Sequence, residues 1–176
     1  MCGDNSLKLR KLEEKDAPLM LEWMHDSSVT AYLAKDFSSM TIENCKDFIE
    51  SAQGITHNAH FAVVDDNDEY MGTVSLKNIE LSSAEAEFAI TMRKFAQGKG
   101  FARFAICEII RTAIEEMNLK FVYWDVLKAN LHAVHFYDKI GGKRIKDEKC
   151  SFYLTKMNIP TEKKSEYICF YADECI

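Results

Sequence analysis

The sequence predicts a mixed α/β fold in which helices cover both faces of one sheet. Two observations predict it. Runs in which apolar and polar residues alternate, as in half-buried strands, recur along the chain, and helical runs separate only some of them. Strands that follow one another directly predict hairpins in the first half and near the end. With 176 residues, we expect one domain over residues 1–176, with its core at about residues 7–172.

The first third of the chain predicts one strand and then two helices. Apolar and basic residues alternate over Leu7–Leu12, as in a half-buried strand. Asp16 is a candidate N-cap for a helix that contains Trp23. Thr41 is a second N-cap candidate, for a helix that begins at residue 43 or 44.

A hairpin is predicted next. Phe61–Val64 and Tyr70–Ile79 have the pattern of strands, and the polar run Asp65–Glu69 between them predicts a solvated turn. This acidic run lacks the ligand pattern of a calcium-binding loop.

The middle of the chain predicts a strand, a helix and a second strand. Apolar residues alternate with glutamates over Ala84–Met92. Phe101–Met117 has apolar residues at helical spacing and charged residues opposite, which indicates an amphipathic helix that packs on the core. Phe121–Val126 is predicted to be a strand buried on both faces.

The last third predicts a short helix and a closing hairpin. The helix begins at Asn130 and ends at Gly141–Gly142, where glycine can supply a left-handed C-cap. Arg144–Tyr153 and Glu166–Ala172 are strand candidates, and Met157–Ser165 is the connecting loop.

Composition and charge exclude several classes of protein. No run of about 18 apolar residues occurs, so we expect no membrane-spanning segment. Met1–Ser6 has no basic region before an apolar one, so we expect no signal peptide and a cytoplasmic location. The formal net charge of −6 argues against nucleic acid as a general partner, and it is compatible with a cationic amine.

The six cysteines predict neither a disulfide framework nor a metal site. No pair forms C-x-x-C, and no Cys/His cluster has zinc spacing. We therefore expect reduced thiols, several of them buried, and no metal. Cys107 lies in the apolar run of the amphipathic helix, so we expect it to pack in the core rather than to act in catalysis.

The junction Gln97–Ala102 predicts an anion site. It reads Q-G-K-G-F-A and joins a strand to the amphipathic helix. The first N–H groups of a helix point outward and the helix dipole favours negative charge there. Gly98 and Gly100 permit backbone conformations that a side chain would forbid. A phosphate or pyrophosphate is the expected ligand, although the spacing fits neither a dinucleotide fingerprint nor a P-loop. A helix capped by a flexible glycine turn is the alternative.

Two motifs resemble those of the GCN5-related N-acetyltransferases (GNAT). Gln97–Ala102 fits the family pattern Q/R-x-x-G-x-G/A, and Asn130–Gly142 reads N-x-x-A-x-x-F-Y-x-K-x-G-G, as in the family's C-terminal motif. The resemblance extends from Leu7 to about Tyr171. It implies a single GNAT-like domain with a mixed, mostly antiparallel sheet that splays in its middle. The coenzyme's pantetheine arm would insert between the strands Ala84–Met92 and Phe121–Val126.

The resemblance implies acetyl-coenzyme A as cosubstrate, without a metal. The turn would bind the pyrophosphate through backbone N–H groups, and Lys99 would add charge or remain a solvated cation. A backbone N–H of the strand would polarise the acetyl carbonyl, and Asn130 would contact the coenzyme or cap its helix. The expected coenzyme-binding residues are Ile90, Thr91, Met92, Gln97, Gly98, Lys99, Gly100, Phe101, Ala102 and Asn130.

The resemblance also implies two catalytic residues. Tyr137 occupies the position of the family's general acid, which protonates the departing thiolate. Glu87 stands ten residues before Gln97, where members with a glutamate base often place it. Glu85, on the same strand face, is the fallback. The alternatives are a core aromatic residue for Tyr137 and exposed strand carboxylates for both glutamates.

The acceptor stays open at this point. The opening pattern Leu9–Asp16, followed by Leu21–Met24, is similar to the branch that acetylates the N-terminal alanine of ribosomal proteins. Other branches act on polyamines and on nucleotide-linked amino sugars. We expect an N-acetyltransferase for a primary amine of one of these kinds, as a monomer or homodimer. In the family the first helical region shapes the acceptor side, and its aromatic and histidine residues here are Trp23, His25, Tyr32 and Phe37; core packing is expected for Trp23.

Two other classes of protein compete with an enzyme. A non-catalytic acyl-coenzyme A-binding module would keep the fold, and a nucleotide-binding module would use only the glycine turn. The presence of both Glu87 and Tyr137 favours an enzyme. The chain has no base-recognition signature beside the glycine turn.

Overall fold

A computed structural model describes residues 7–176 of the chain. Met1–Ser6, on which the expectation of no signal peptide rests, lie outside these residues, and so does Cys2. The described part contains seven strands in one sheet, in the order β1-β2-β3-β4-β5-β7-β6. The strands are β1 (Lys8–Lys11), β2 (Ala59–Val64), β3 (Tyr70–Glu80), β4 (Glu85–Met92), β5 (Phe121–Leu127), β6 (Lys143–Arg144) and β7 (Tyr167–Ala172).

The sheet is mixed and mostly antiparallel, which confirms the predicted fold class. Antiparallel pairing joins β1 to β2, β2 to β3, β5 to β7 and β6 to β7. β4 and β5 are parallel, and their ladder covers Glu85–Glu87 on one strand and Phe121–Tyr123 on the other. Because the ladder is this short, most of β4 is not paired with β5, as a sheet that splays between these strands requires.

The helices agree with the predicted elements in most places. Thr41 caps α3 as predicted, because its Oγ1 accepts from the Asn44 N–H at 3.3 Å, although the helix already begins at Ile42. The π-helical segment Thr112–Glu116 continues α4. The α-helices are α1 (Ala17–Met24), α2 (Ser27–Thr30), α3 (Ile42–Ser51), α4 (Phe101–Arg111), α5 (Leu131–Lys139) and α6 (Asp147–Lys156).

The described residues form two compact units. The first unit comprises residues 7–77 and 89–109, and the second comprises residues 78–88 and 110–176. Both β3 and β4 contribute residues to each unit. The expectation of one domain over residues 1–176 stays a prediction.

The core of the first unit lies between the strands β1–β3 and the helices α1 and α3. Trp23 is buried there, and its Nε1 donates to Tyr70 Oη at 3.1 Å. The Trp23 and Phe37 rings meet edge to face with centroids 5.2 Å apart. The expectation that Trp23 packs in the core is therefore confirmed.

The role predicted for Asp16 is wrong. Its carboxylate does not cap α1; it accepts two hydrogen bonds from Arg10, each 2.8 Å long, and a third from the Glu13 N–H at 2.9 Å. The Asp16 side chain is only 1% exposed, and such a buried carboxylate needs a charged partner more than a helix end needs a cap. The hydrogen bond to Asp16 is the main cause that raises the pKa of Arg10.

The second unit packs a helix on each side of β5. On one side, the α5 residue Tyr137 contacts Trp124, with ring centroids 5.4 Å apart. On the other side, the α6 residue Tyr153 contacts Tyr123, with centroids 4.3 Å apart. Neighbouring residues of a strand point to opposite faces, so α5 and α6 cover opposite faces of this part of the sheet.

The strand predicted over Arg144–Tyr153 is wrong. Only Lys143–Arg144 pair with β7, and the helix α6 follows from Asp147. The buried residues Cys150, Tyr153 and Leu154 recur at helical spacing and pack in one cluster, so the apolar stripe of this segment has the period of a helix. Acidic residues in the first turn of α6 suit the helix dipole.

The expectation of reduced thiols is wrong for one pair. Cys150 in α6 and Cys169 in β7 form a disulfide, with Cα atoms 5.5 Å apart. The expectation rested on the absence of C-x-x-C pairs and of a secretory signal, whereas these two cysteines lie 19 residues apart in the chain and meet where α6 packs on β7. Cys45, Cys107 and Cys175 are outside any disulfide, and Cys107 is half-buried on α4.

No helix within residues 7–176 is both long enough and apolar enough to cross a membrane.

Candidate active site

The predicted anion turn has the geometry that the sequence indicated. It lies in the first unit, between the 3₁₀ segment Lys94–Ala96 and the first residue of α4. Gly98 and Gly100 have φ angles of +74° and +89°, in the left-handed region that favours glycine. An added Cβ at either glycine would meet nothing within 4 Å, so the turn borders open space.

The residues of this turn fit a pyrophosphate. Gln97, Lys99 and both glycines are exposed, whereas Phe101 is buried and anchors the start of α4. The first N–H groups of an eleven-residue helix lack partners within the helix. The Lys99 ammonium lies 3.3 Å from the ring centroid of Phe95, so a cation is already held close to the turn.

The strand residues expected beside the acetyl group are close-packed against β3. The Arg93 N–H, just after β4, donates to Met71 O at 2.9 Å. A Cβ on Gly72 would stand 2.4 Å from Thr91 O. The β3 backbone therefore lies so close to this part of β4 that no side chain fits at position 72. Ile90 and Thr91 are half-buried, and Met92 is buried.

In the second unit, β4 and β5 present two chemically different faces. Glu85 pairs with Phe121 and Glu87 pairs with Tyr123, so these four residues share one face, which we call the glutamate face. Phe88 and Trp124 lie on the opposite face, with ring centroids 5.6 Å apart, and Trp124 also contacts Tyr137. We call this the Tyr137 face.

Glu87 is a buried carboxylate, so the alternative of an exposed strand glutamate is wrong. It is 5% exposed, and its Oε2 accepts from Asn78 Nδ2 at 2.7 Å. Asn78 adopts a φ of +49°, a conformation that asparagine tolerates better than most residues. Asn78, near the end of β3, therefore helps to orient this carboxylate.

Glu85 is buried too, but its partners differ. It is 8% exposed; its Oε2 accepts from Tyr153 Oη at 3.1 Å, and its Oε1 contacts Lys156 Nζ. Glu85 is thus engaged by a cation of α6, whereas Glu87 is the residue at the family's position for the base, ten residues before Gln97.

Tyr137 is a buried phenol in an aromatic cluster. It is 8% exposed, and its ring lies 5.4 Å from Trp124 and 5.6 Å from Phe170, measured between centroids. Burial raises the pKa of Tyr137, so its hydroxyl keeps its proton through neutral and mildly alkaline pH. A protonated hydroxyl is what a general acid requires.

The motif around Tyr137 folds as predicted. Asn130 Oδ1 accepts from the Ala133 N–H at 3.2 Å and so caps α5. Gly141 has a φ of +96°, and the Gly142 N–H donates to Tyr137 O at 2.9 Å. Both ends of the helix that carries Tyr137 are thereby fixed.

Sequence reasoning missed the partners that α6 contributes. Tyr153 and Lys156 lie in the segment that was predicted as a strand, so neither was considered beside Glu85. The helical spacing of Cys150, Tyr153 and Leu154 was the signal that could have found them. Among residues 7–176, no group of three or more His, Cys, Asp or Glu side chains could hold a metal ion.

Comparison with known proteins identifies the family of the chain. Residues 6–143 match the family described as the acetyltransferase (GNAT) domain. Two spermidine N(1)-acetyltransferases are similar in sequence. The Vibrio cholerae enzyme is 28% identical over 142 residues, which are 78% of this chain and 79% of that enzyme. The Escherichia coli K12 enzyme is 30% identical over 141 residues, which are 80% of this chain and 75% of that enzyme.

Solved structures agree as well. The crystal structure of spermidine N-acetyltransferase from Vibrio cholerae in complex with CoA and spermine has a TM-score of 0.72 and 26% identity, over 80% of this chain and 83% of that one. A dodecameric structure of the Vibrio cholerae enzyme has a TM-score of 0.71 over 95% and 93% of the two chains; at 22% identity it shows the fold alone.

The fold and the matched family define an acyltransferase that uses coenzyme A. The chain belongs to the acetyltransferase (GNAT) family. It is an acetyl-coenzyme A-dependent N-acetyltransferase, which transfers the acetyl group to a primary amine. The alternatives of a non-catalytic module and of a nucleotide-binding module are therefore set aside. The relatives named above are spermidine enzymes, not members of the ribosomal-protein-alanine branch that the opening pattern suggested.

We expect Gly100→Asp to weaken binding of acetyl-coenzyme A at least tenfold, or about 1.4 kcal/mol. The new carboxylate would meet the pyrophosphate at the start of α4. Any side chain is strained at the positive φ of Gly100, and Asp and Asn adopt positive φ more readily than most residues. Isothermal titration calorimetry measures the dissociation constant.

Gly100→Asn is the matched control, because it has nearly the same shape and lacks the charge. It should weaken binding less than Gly100→Asp. Equal dissociation constants for wild type and a folded Gly100→Asp variant would show that the pyrophosphate binds elsewhere.

Proposed function

We propose that the acceptor is an aliphatic polyamine and that the acetyl group reaches it from acetyl-coenzyme A in a direct transfer. The glutamate face carries this proposal, because two buried carboxylates stand on adjacent same-face positions of β4 and a third, Glu80, contacts the same lysine as Glu85. Such a face favours a ligand with more than one ammonium group. Two curated relatives are named for acetylation of spermidine, and the net charge of −6 acts in the same direction.

The coenzyme would be held by the turn before α4. Backbone N–H groups of Gln97–Ala102 would bind the pyrophosphate, and the helix dipole adds to their effect. Lys99 stands close enough to contribute charge once it leaves the ring of Phe95. A backbone N–H within Ile90–Met92 would stabilise the oxyanion that forms on the acetyl carbonyl. The role of Asn130 is to hold the start of α5, with a coenzyme contact as a compatible second role.

Glu87 would accept the proton that the amine must lose. An alkylammonium has a pKa of about 10.4, so very little free amine exists at neutral pH. The Glu87 carboxylate is buried on the glutamate face and is oriented by Asn78, which is the arrangement that a general base needs. Its negative charge also attracts the ammonium form before the proton leaves.

Tyr137 would donate a proton to the thiolate that departs. Its hydroxyl belongs to the opposite face of the second unit, in a cluster of aromatic rings that raises its pKa through burial. The base and the acid belong to different faces of these strands. In a direct transfer both must reach the same tetrahedral carbon, Glu87 through the attacking nitrogen and Tyr137 through the departing sulfur.

A peptide N-terminus is the second candidate acceptor, and the opening pattern Leu9–Asp16 is what favours it. That pattern has a structural role, since Arg10 and Asp16 form a buried ion pair. It therefore lends the peptide acceptor little support. Cytoplasmic location and a monomeric or homodimeric state stay predictions.

We expect spermidine and spermine to be acetylated with the highest kcat/KM in an acceptor screen. The screen detects the free thiol released from acetyl-coenzyme A across polyamines, peptides with varied N-termini, aminoglycosides and amino-sugar nucleotides. Monoamines of equal length are the controls, because they offer one ammonium group instead of several. A higher kcat/KM for alanine-starting peptides than for any polyamine would contradict the proposal.

Glu87→Gln should lower kcat/KM on the order of 10²-fold near neutral pH. The deficit should shrink at alkaline pH, because free amine then exists without a base. The pH dependence of kcat/KM for spermidine measures this. Glu85→Gln is the control, and it should alter the KM for the acceptor while leaving the pH dependence as in wild type. An unchanged profile in a folded Glu87→Gln variant would move the base to another group.

Tyr137→Phe should slow the chemical step by roughly 10²-fold while coenzyme affinity stays as in wild type. The ring contacts with Trp124 and Phe170 survive, so only the proton donor is lost. Single-turnover measurement isolates chemistry from product release.

Tyr167→Phe, which removes a hydroxyl from a half-buried tyrosine of β7, is the matched control and should be silent. Wild-type single-turnover rates in Tyr137→Phe would make Tyr137 a packing residue.

A further inference from the structure

Lys156, the last residue of α6, holds its ammonium group among carboxylates and aromatic rings. Its Nζ donates to Glu80 Oε2 at 2.9 Å and contacts Glu85 Oε1. It lies 5.9 Å from the ring centroid of Tyr123 and 5.6 Å from that of Phe152. Carboxylates and ring faces are the groups with which proteins bind alkylammonium ions.

The groups around this ammonium come from separate elements and are fixed in place. Glu80 ends β3, Glu85 begins β4, and Tyr123 lies in β5. Tyr153 Oη donates to Glu85 Oε2 at 3.1 Å, and the Tyr153 and Tyr123 rings pack with centroids 4.3 Å apart. Glu85, Tyr123 and Tyr153 are therefore held by backbone pairing and ring packing that do not depend on Lys156, and Glu80 accepts a further hydrogen bond from Ser83 Oγ at 2.9 Å.

The hydroxyl of Tyr123 is a buried polar group with spare capacity. The residue is fully buried, and within the described part of the chain its Oη has no hydrogen-bond partner. Burial raises the pKa of Tyr123; Lys156 opposes this shift, and Glu87 and Glu85 add to it, so all three lie within electrostatic range. A buried hydroxyl without a partner is rare in native proteins, and it marks a position that a polar ligand group can satisfy.

We infer that Glu80, Glu85, Tyr123 and Tyr153 form a binding site for an ammonium group of the acceptor, and that Lys156 occupies this ammonium site until the acceptor displaces it. The inference rests on the proposed polyamine acceptor. The amine that reacts lies at Glu87, and a second ammonium group of the same molecule takes the place of Lys156. Glu85 and Glu87 are two residues apart on one strand, about 6.6 Å, which is comparable to the spacing of neighbouring nitrogens in an aliphatic polyamine.

The Lys156 side chain is able to move out of the ammonium site. Its charge sits on a flexible four-carbon stem at the end of a helix, and the Glu80 side chain is 52% exposed, so the ammonium site opens to solvent on that side. A ligand that must displace an internal occupant binds only to the molecules in which the site is vacant. Its apparent dissociation constant is therefore the intrinsic constant divided by the vacant fraction. Removal of the occupant should therefore tighten acceptor binding.

If Lys156 has only a structural role, its removal should not tighten acceptor binding. Lys156 would then only neutralise the buried Glu85 and complement the dipole at the end of α6. Its removal would leave a buried carboxylate without a charged partner, and polyamine binding would not tighten.

Spermidine binding, measured by calorimetry without acetyl-coenzyme A, distinguishes a displaceable Lys156 from a structural one. We expect Lys156→Ala to bind spermidine at least tenfold more tightly than wild type, and Lys156→Gln, which keeps the stem and loses the charge, to bind it more tightly as well. Lys164→Ala is the matched control, because Lys164 contacts the α6 residues Ser151 and Thr155 rather than a carboxylate, and it should bind as wild type does. Adding Glu85→Gln to Lys156→Ala should abolish the gain.

A small amine tests the site without any polyamine. The n-propylammonium ion replaces the atoms that Lys156→Ala removes, so it should raise the melting temperature of that variant and not of wild type or Lys164→Ala. Sodium chloride at matched ionic strength is the control for salt.

The outcomes also distinguish this inference from the proposed function. Folded Lys156→Ala and Lys156→Gln variants that bind spermidine no more tightly than wild type would overturn the inference, even where spermidine is a good acceptor in turnover. Selective stabilisation of Lys156→Ala by n-propylammonium, together with no acetylation of spermidine, would keep the ammonium site and overturn the polyamine acceptor.

Discussion

The short parallel ladder between β4 and β5 is the constraint on which the second unit depends. It sets Glu85 opposite Phe121 and Glu87 opposite Tyr123, so it assigns every side chain of these strands to a face. A slip of one residue would move both glutamates to the Tyr137 face, among the aromatic rings of Phe88 and Trp124 and away from Asn78, Tyr153 and Lys156. The register therefore fixes the packing of α5 and α6 as well as the placement of the proposed base and acid.

Burial of two carboxylates on one strand has a cost that the rest of the unit must offset. A buried charge without partners is strongly unfavourable, so each glutamate needs its own donors. Asn78 supplies a neutral amide to Glu87, whereas Tyr153 and Lys156 supply a phenol and a cation to Glu85. Glu85 is thereby tied to the cation of α6, and this ion pair is the basis for giving it a role in binding an ammonium group of the acceptor.

Much of the fold was predictable from local patterns, and the failures have a common physical cause. The glycine turn, the Asn130 cap and the Gly141 end of α5 are decided by a few adjacent residues, so the sequence shows them directly. The cap predicted for Asp16 and the strand predicted over Arg144–Tyr153 failed because partners distant in the chain decide them. Asp16 is taken by Arg10, and the α6 segment packs its Cys150, Tyr153 and Leu154 against a core that a single segment does not reveal. The same reason hid the partners of Glu85, which lie on α6.

The placement of Glu87 and Tyr137 on opposite faces has a consequence for the proton balance of each cycle. In the proposed mechanism Glu87 gains a proton from the amine and Tyr137 loses a different one to the thiolate, so the two groups end a turnover with their charges reversed. The two side chains belong to opposite faces of β4 and β5, so the proton that Glu87 gains is not the one that Tyr137 needs. Water must therefore restore both groups before the next acceptor is acetylated. Because burial raises the pKa of Tyr137, transfer of a proton from water back to its phenolate is favourable at neutral pH.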